Sequence, residues 1–491
     1  MAYQQYREAL QKIADIKYAS AVLQWDQETY MPPAGAHFRG KQIATLAELA
    51  HEKFTSAATE QIIVNALADE TLTMAERTNV ALTFEDLQKS KKLSTAFVGK
   101  MSEAINQSFH AWIAARNENN FKVFEAPLQA IVALKQEEAA LLGYADHPYD
   151  ALMNDYDKGL TVKATDQIFA DLTPQLTHII DKVKQQPEAD NSFLHQHFPK
   201  QKQWNFGLKL LTDMQYNFNA GRQDVSEHPF TTNFSSQDVR VTTRVDENDF
   251  SNMLWSCIHE GGHALYEQGL PDTEYGLPLG EYCSLSIHES QSRLWENCIG
   301  RSLPFWKNNF PALKKVFPKQ YKGVKPKRFY AAINKVTPSL IRTEADELTY
   351  HFHVIIRYEI EKMLILGSLK VSDIPQVWNS LYKKYLGVNV PDHKQGCLQD
   401  VHWSHGSFGY FATYSIGSLY AAQFWEAIQL QYPTVNKQIA KGDYVQVLEW
   451  LNKNIYRFGR MFTSDELCKN ATGSKLDSAA FLNYANNKYF G

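Results

Sequence analysis

The sequence predicts an all-α protein, mainly helical with at most a small β element. Apolar residues recur at helical spacing through most of the chain. Strand-like alternation persists nowhere, apart from short β-branched runs such as Val239-Arg240-Val241-Thr242-Thr243. No repeat, low-complexity tract or Gly/Ser linker divides the 491 residues. They read as one large unit, with about 1–200 a helical wall and about 201–491 the part that carries the chemistry.

In order, Tyr6, Leu10, Ile13 and Ile16 form a first apolar stripe, and Ile43, Leu46, Leu49 and Ala50 a second. Between them the run from Trp25 to Ala36, with Pro32, Pro33 and Gly35, predicts a break. Further helices are expected at about 76–90, 95–117, 122–142 and 163–185. A helix capped by Asp246, with Asp249 three residues on, is expected to stop at Gly269. Phe250, Leu254, Ile258 and Leu265 give it a buried stripe. Gly261 and Gly262 in its middle cost about 1 kcal/mol each relative to Ala, so close approach of another backbone is expected there. After a loop at 270–280, a second helix is expected at about 284–299. The basic cluster Lys319, Lys322, Lys325, Lys327 and Arg328 reads as a solvated face. From about 328 the chain is again helical, with a Gly- and aromatic-rich interruption at 396–417.

A net charge of -4 gives no electrostatic case for nucleic acid or an anionic membrane as partner. The segment Met1 to Arg7 has no apolar core of a signal peptide, and no run of 18 apolar residues predicts a membrane span. Five widely spaced cysteines without a C-x-x-C pair favour reduced thiols, and the expected compartment is the cytoplasm. Aromatics at 13% suit a thick helical core or a peptide-binding cleft.

The chemistry starts at His259-Glu260-Gly261-Gly262-His263. On a helix, residues four apart stack on one face, so the two imidazoles reach one metal ion, for which Zn²⁺ is suited. Glu260 lies about 100° around the helix, where it can take a proton from water activated by the metal. By chance, such a pentapeptide is expected about 0.06 times in this composition. The third ligand is expected on the following helix, where Leu285, Glu289, Ser292 and Glu296 share a face. Glu289 is the first candidate, Glu296 and His288 compete, and a simple Glu289–Arg293 pair is the bland alternative. Co²⁺ or Mn²⁺ suits the same donors.

Amide hydrolysis develops an oxyanion, and His402, Tyr410 and Tyr414 are candidate donors to it. A terminal carboxylate is best met by arginine, for which Arg240, Arg342 and Arg293 are candidates. Each has an acidic neighbour, so a structural ion pair is the competing reading.

Six ordered motifs, H-E-x-x-H among them, are far more specific than that pentapeptide alone. They are His228-Pro229-Phe230; Asp238-Val239-Arg240-Val241-Thr242; His259 to His263; His288-Glu289-Ser290-Gln291; Ile341-Arg342-Thr343-Glu344-Ala345-Asp346; and Gly396-Cys397-Leu398-Gln399-Asp400-Val401-His402-Trp403. With them, and with Leu23 to Pro32 at the start, nearly the whole chain resembles the thermostable, Taq-type family of zinc metallocarboxypeptidases. That resemblance implies a helical fold with a deep substrate cleft and commonly a homodimer. It implies one metal per subunit held by His259, His263 and Glu289, with Glu260 as general base. It further implies that the H-P-F, D-x-R-x-T and I-R-x-x-A-D residues line the substrate site, with Arg342 or Arg240 on the terminal carboxylate. Two departures stand out: Ala412 where proline is common in the family, which suggests a looser loop, and Gly261 where some members carry a larger side chain.

The expected function is removal of single C-terminal residues from peptides, with broad specificity. An endo-acting zinc oligopeptidase and a non-catalytic zinc-stabilised peptide-binding scaffold are the alternatives.

Overall fold

Helical periodicity becomes helix nearly wherever it occurs. In the computed structural model, which describes residues 2–491, the four early segments are Met74–Lys92, Thr95–Glu118, Lys122–Leu142 and Val162–Lys184. Caps explain several of their ends: Ser94 Oγ accepts from the Phe97 amide at 3.2 Å, and Thr161 Oγ1 accepts from that of Ala164. The expected break after Trp25 is shorter than the sequence suggests. The first helix, Ala2–Thr29, continues past it, and Pro33–Gly35 forms a single tight turn before Ala36–Thr55. Proline restricts only itself and the residue before it. Trp25 and Asp26 stay helical, and Arg39 ties Asp26 and the Leu23 carbonyl to the next helix at 2.7 and 2.9 Å. The basic cluster at 319–328 is exposed, as expected.

The chain divides into two compact units, each built from three stretches. One contains Met1–Ser90, Ala189–Ile333 and Tyr420–Leu476; the other contains Lys91–Glu188, Asn334–Leu419 and Asp477–Gly491. The first 200 residues are therefore shared between them.

The first unit holds the one sheet among the described residues: β1 (Gly221–Val225), β2 (Thr231–Ser235) and β3 (Asp238–Thr243), in the order β1-β3-β2. The β-branched run supplies the central strand, parallel to β1 and antiparallel to β2, with Thr231 opposite Val241 and Thr232 opposite Arg240. Val239 and Val241 are fully buried, and β3 packs on the helix Phe250–Gln268. The cap of that helix is Asp249, whose Oδ1 accepts from the Ser251 amide at 2.8 Å. Asp246, expected to be the cap, instead accepts from the Asn248 amide in the turn leading in. Gly269 ends the helix, as expected.

The next helix, Leu285–Arg293, is capped by Ser284. The single helix expected to 299 changes character here: Leu294–Gly300 is a wider π-helical stretch, closed by the Arg301 amide on the Glu296 carbonyl at 2.8 Å. The two mid-helix glycines have different neighbours. A Cβ at Gly262 would lie 2.7 Å from both the Gln291 carbonyl oxygen and Ser292 Cα. At Gly261 it would meet only the ends of the Leu211 and Met214 side chains, at 2.8 and 2.9 Å.

In the second unit, the helix Tyr350–Leu366 is buried along most of its length. The interruption at 396–417 is shorter than expected. It holds a short turn at His402–His405, and the helix Phe411–Gln431 already begins within it. Ala412 is buried in that helix's first turn, so the position is ordered rather than loose. Proline suits a first helical turn because no intrahelical amide bond is lost there, and alanine suits it equally.

Gly262→Ala separates two effects. Helix propensity alone would stabilise the protein by about 1 kcal/mol, whereas overpacking against backbone costs about 1–3 kcal/mol. The expected result is net destabilisation in denaturant unfolding of the metal-free protein, together with weaker metal binding. A variant at least as stable as wild type would contradict the contact.

Candidate metal centre

His259 and His263 project from one face of Phe250–Gln268, and Glu289 meets them from the following helix. Glu289 Oε2 lies 3.8 Å from His259 Nε2 and 3.6 Å from His263 Nε2, and one ligand atom from each residue falls within 4.8 Å of the others. Two imidazole nitrogens and one carboxylate oxygen suit a divalent ion and leave a position for water or substrate.

The neighbours make the fit more than a coincidence of spacing. His259 Nδ1 donates to Glu296 Oε2 at 2.9 Å, which leaves the Nε2 lone pair aimed into the cluster. Arg293 Nε occupies Glu289 Oε1 at 2.7 Å, which leaves Oε2 for the same point. Of the sequence candidates for third ligand, Glu289 is therefore the one in place. Glu296 sits behind His259, and His288 Nε2 is bonded to Glu267 Oε1 at 2.8 Å. The Glu289–Arg293 pair is also present, but it uses only one carboxylate oxygen.

Electrostatics follow from burial and these partners. Burial, with the neighbouring His288 and His259, holds His263 well below its ordinary pKa, so it is neutral as a ligand must be. Burial alone would lower His259 too, but Glu289 and the bond to Glu296 outweigh it and hold it above its usual value. A proton and a cation thus compete for that nitrogen. Burial would raise Glu296, yet Arg293, the His259 bond and Arg301 keep it well below the usual carboxylate range. Arg301 Nη2 completes that set, at 2.9 Å from Glu296 Oε1.

Glu260 is buried and takes no place among the ligand atoms. Thr231 Oγ1, from β2, donates to its Oε2 at 2.6 Å and lies 3.0 Å from its carbonyl oxygen. Burial raises its pKa, which His259 and this hydrogen bond offset only in part. The sequence reading overlooked Thr231, although it directly follows His228-Pro229-Phe230. Its place opposite Val241 turns its side chain toward the helix.

All three candidate arginines are ion-paired. Arg293 serves Glu289 and Glu296, so it is part of the metal site's support rather than an open carboxylate clamp. Arg240 gives Nε and Nη2 to Asp238 at 2.9 and 2.8 Å, and its guanidinium lies between the Trp25 and Phe234 rings at 4.3 and 4.8 Å. His228 is exposed on the loop between β1 and β2.

The remaining candidates belong to the second unit, where they lie together. Arg342 is buried, with Nε and Nη2 on Asp400 Oδ1 at 3.0 and 2.9 Å and Nη1 on the Tyr350 hydroxyl at 3.1 Å. Asp400 is shared with Arg357. The Arg342 guanidinium also lies 4.9 Å over the Tyr414 ring. His402 Nε2 is 3.2 Å from the Tyr414 hydroxyl, and Tyr410 packs edge-on against Tyr414. Burial, then Arg342, lowers His402 to about 3, so it is a neutral imidazole. Glu361, not singled out from sequence, fastens the loop that carries His402 and Tyr410. It accepts from Trp403 Nε1 at 2.7 Å, the Gly409 amide at 2.9 Å and the Tyr149 hydroxyl at 2.5 Å.

Comparison with known proteins shows the family. A family model described as carboxypeptidase Taq (M32) metallopeptidase matches residues 5–489. Thermostable carboxypeptidase 1 of Thermus thermophilus is 36% identical over 502 residues, spanning 99% of this chain and 98% of the relative. Carboxypeptidase 1 of Bacillus subtilis is 35% identical over 488 residues, spanning 99% and 97%. Among solved structures, the M32 carboxypeptidase from Deinococcus radiodurans superposes with a TM-score of 0.97 at 38% identity, over 99% of this chain and 98% of that one. Pyrococcus furiosus carboxypeptidase gives 0.97 at 33% identity, over 100% and 99%. With the match spanning nearly every residue, the chain belongs to the carboxypeptidase Taq (M32) metallopeptidase family, a peptide hydrolase whose family implies a divalent metal and whose His259, His263 and Glu289 form a cluster able to hold one.

Proposed function

We propose that the protein is a zinc-dependent carboxypeptidase that releases single C-terminal amino acids from peptides with broad specificity. The observation that carries this reading is the convergence of His259 Nε2, His263 Nε2 and Glu289 Oε2 beside a buried carboxylate, Glu260, that is not used as a ligand. When bound there, one per subunit, a divalent ion (zinc, or Co²⁺ or Mn²⁺ as substitute) polarises the scissile carbonyl and makes water more acidic.

The chain's own residues do the rest. Glu260 takes the proton of the attacking water and delivers it to the leaving amine. Its raised pKa brings it nearer the operating range of such a base. Thr231 fixes Oε2, so Oε1 is the oxygen that receives the proton. Glu296 holds His259 in the ligating tautomer. On donor chemistry, oxyanion stabilisation falls to His402 or Tyr410 and substrate contact to Tyr414, while the H-P-F motif of the family gives substrate contact to His228. A neutral His402 donates an N–H without also being an acid.

Of the two arginines proposed for the terminal carboxylate, Arg240 is favoured. Arg342 has Nε, Nη1 and Nη2 all bonded. Arg240 uses Nε and Nη2, and its Nη1 has no hydrogen-bond partner among the described residues. A cytoplasmic homodimer acting on peptides with a free C-terminus, without nucleic acid or membrane as partner, completes the proposal. No helix among the described residues is long and apolar enough to cross a membrane.

Glu260→Gln is expected to bind metal as wild type does and to lose about 10²–10⁴-fold in kcat. Retained turnover would remove Glu260 from the mechanism. One peptide offered as free acid and as C-terminal amide, followed by mass spectrometry, is expected to be shortened stepwise only as the free acid, and only without chelator. Internal cuts in both forms would replace this reading with an endopeptidase. Cleavage of neither would favour a peptide-binding scaffold.

A further inference from the structure

The two histidine ligands are supported unequally. His259 is oriented through its second nitrogen, which Glu296 holds at 2.9 Å. His263 has no such carboxylate: its buried Nδ1 faces the backbone of His288 but makes no well-formed hydrogen bond among the described residues. A metal-ligating imidazole whose other nitrogen has only a poorly aligned backbone group beside it gains from another restraint on its ring plane.

That restraint is visible beside it. The His288 ring lies against the His263 ring, centroids 4.5 Å apart and planes 26° from parallel. His288 is itself confined from the other sides. Tyr282 packs edge-on at 4.8 Å, Tyr266 lies tilted at 5.6 Å, and Nε2 donates to Glu267 Oε1 at 2.8 Å. Glu267 is buried, and its other oxygen accepts from Asn233 Nδ2 of β2 at 2.6 Å. The positions matter as much as the contacts. Glu267 is one helical turn beyond His263 on the same face, and His288 directly precedes the ligand Glu289.

We infer that His288 is a positioning residue for the metal, its ring setting the plane of His263 and its bond to Glu267 locking the register of the two ligand-bearing helices. This rests on the reading of His259, His263 and Glu289 as ligands. Glu267 and Asn233 extend the same restraint into the sheet, so the edge strand that orients Glu260 through Thr231 also orients His263 through Asn233. Neither Glu267 nor His288 enters the metal's own coordination in this arrangement.

The test is metal affinity of the full chain, measured with Zn²⁺ in competition with a chromophoric chelator and with Co²⁺ by its visible spectrum. His288→Ala is expected to bind about 10–100-fold more weakly, with an altered Co²⁺ band pattern and a metal-free melting temperature close to wild type. His288→Phe keeps a ring and loses the bond, and His288→Gln keeps a donor and loses the ring. Each is expected to fall between His288→Ala and wild type. Affinity of His288→Ala within twofold of wild type would overturn the proposal. Were that variant not to fold, His288→Gln with wild-type affinity would overturn it equally. His263→Ala separates the two levels of the argument. Binding there as tight as in wild type would refute the ligand reading itself, whereas loss in His263→Ala with His288→Ala unchanged would refute only the positioning role.

Discussion

At Gly262 one helix rests directly on the backbone of another, and the metal site depends on that contact. No side chain separates Gly262 from Gln291 and Ser292. The glycine lies next to His263, and Gln291 lies two residues after Glu289. Ligand spacings of 3.6 and 3.8 Å between the two helices leave little room for a side chain to push them apart. The helix gives up about 1 kcal/mol of propensity at this glycine. What it gains is the Glu289 carboxylate, the proposed third ligand, delivered from a separate element at a fixed height.

Around this contact, four buried carboxylates share a small volume, and each has a defined partner. Glu289 and Glu296 are paired with Arg293, Glu296 also with Arg301, Glu267 with His288 and Asn233, and Glu260 with Thr231. An uncompensated buried carboxylate would shift its pKa and neutralise. Arginine pairing keeps Glu296 ionised, whereas Glu260, which has a hydroxyl and no arginine, is left with a raised pKa. The two carboxylates thus differ through the partner each one has, and it is the one with the raised pKa that the proposed mechanism uses as base.

Much of this was legible in the sequence, and the reasons are particular. His259, His263 and Glu260 follow from helical geometry, because spacing along one helix is set by a single period. Glu289 required a second helix, and local patterning left Glu296 and His288 as rivals. Only the three-dimensional meeting of the helices separates a ligand from the residue behind a ligand. The π-helical turn at Leu294–Gly300 was invisible, since its apolar pattern is that of an ordinary helix. Asp249 rather than Asp246 caps the long helix because the turn before it uses Asp246 for another amide, a choice that both aspartates permit on paper. Thr231 and Asn233 escaped notice because their partners, Glu260 and Glu267, lie 29 and 34 residues away. A strand's facing residues become readable only once the register of β2 on β3 is known. The arginines stay ambiguous on sequence because an acidic neighbour is compatible with both a clamp and a structural pair; all three are ion-paired in the fold, and Arg240 keeps one more donor than Arg342.

In the proposed site, two histidines and a glutamate from adjoining helices hold one divalent ion beside a carboxylate that stays outside the coordination. Anomalous diffraction at the zinc edge, from crystals of metal-saturated protein, addresses it most directly. The account expects one peak per chain at about 2.0–2.2 Å from His259 Nε2, His263 Nε2 and a Glu289 oxygen, with Glu260 beyond bonding distance. A peak held by Glu260 or Glu296 in place of Glu289, or none at this site under saturating zinc, would contradict it.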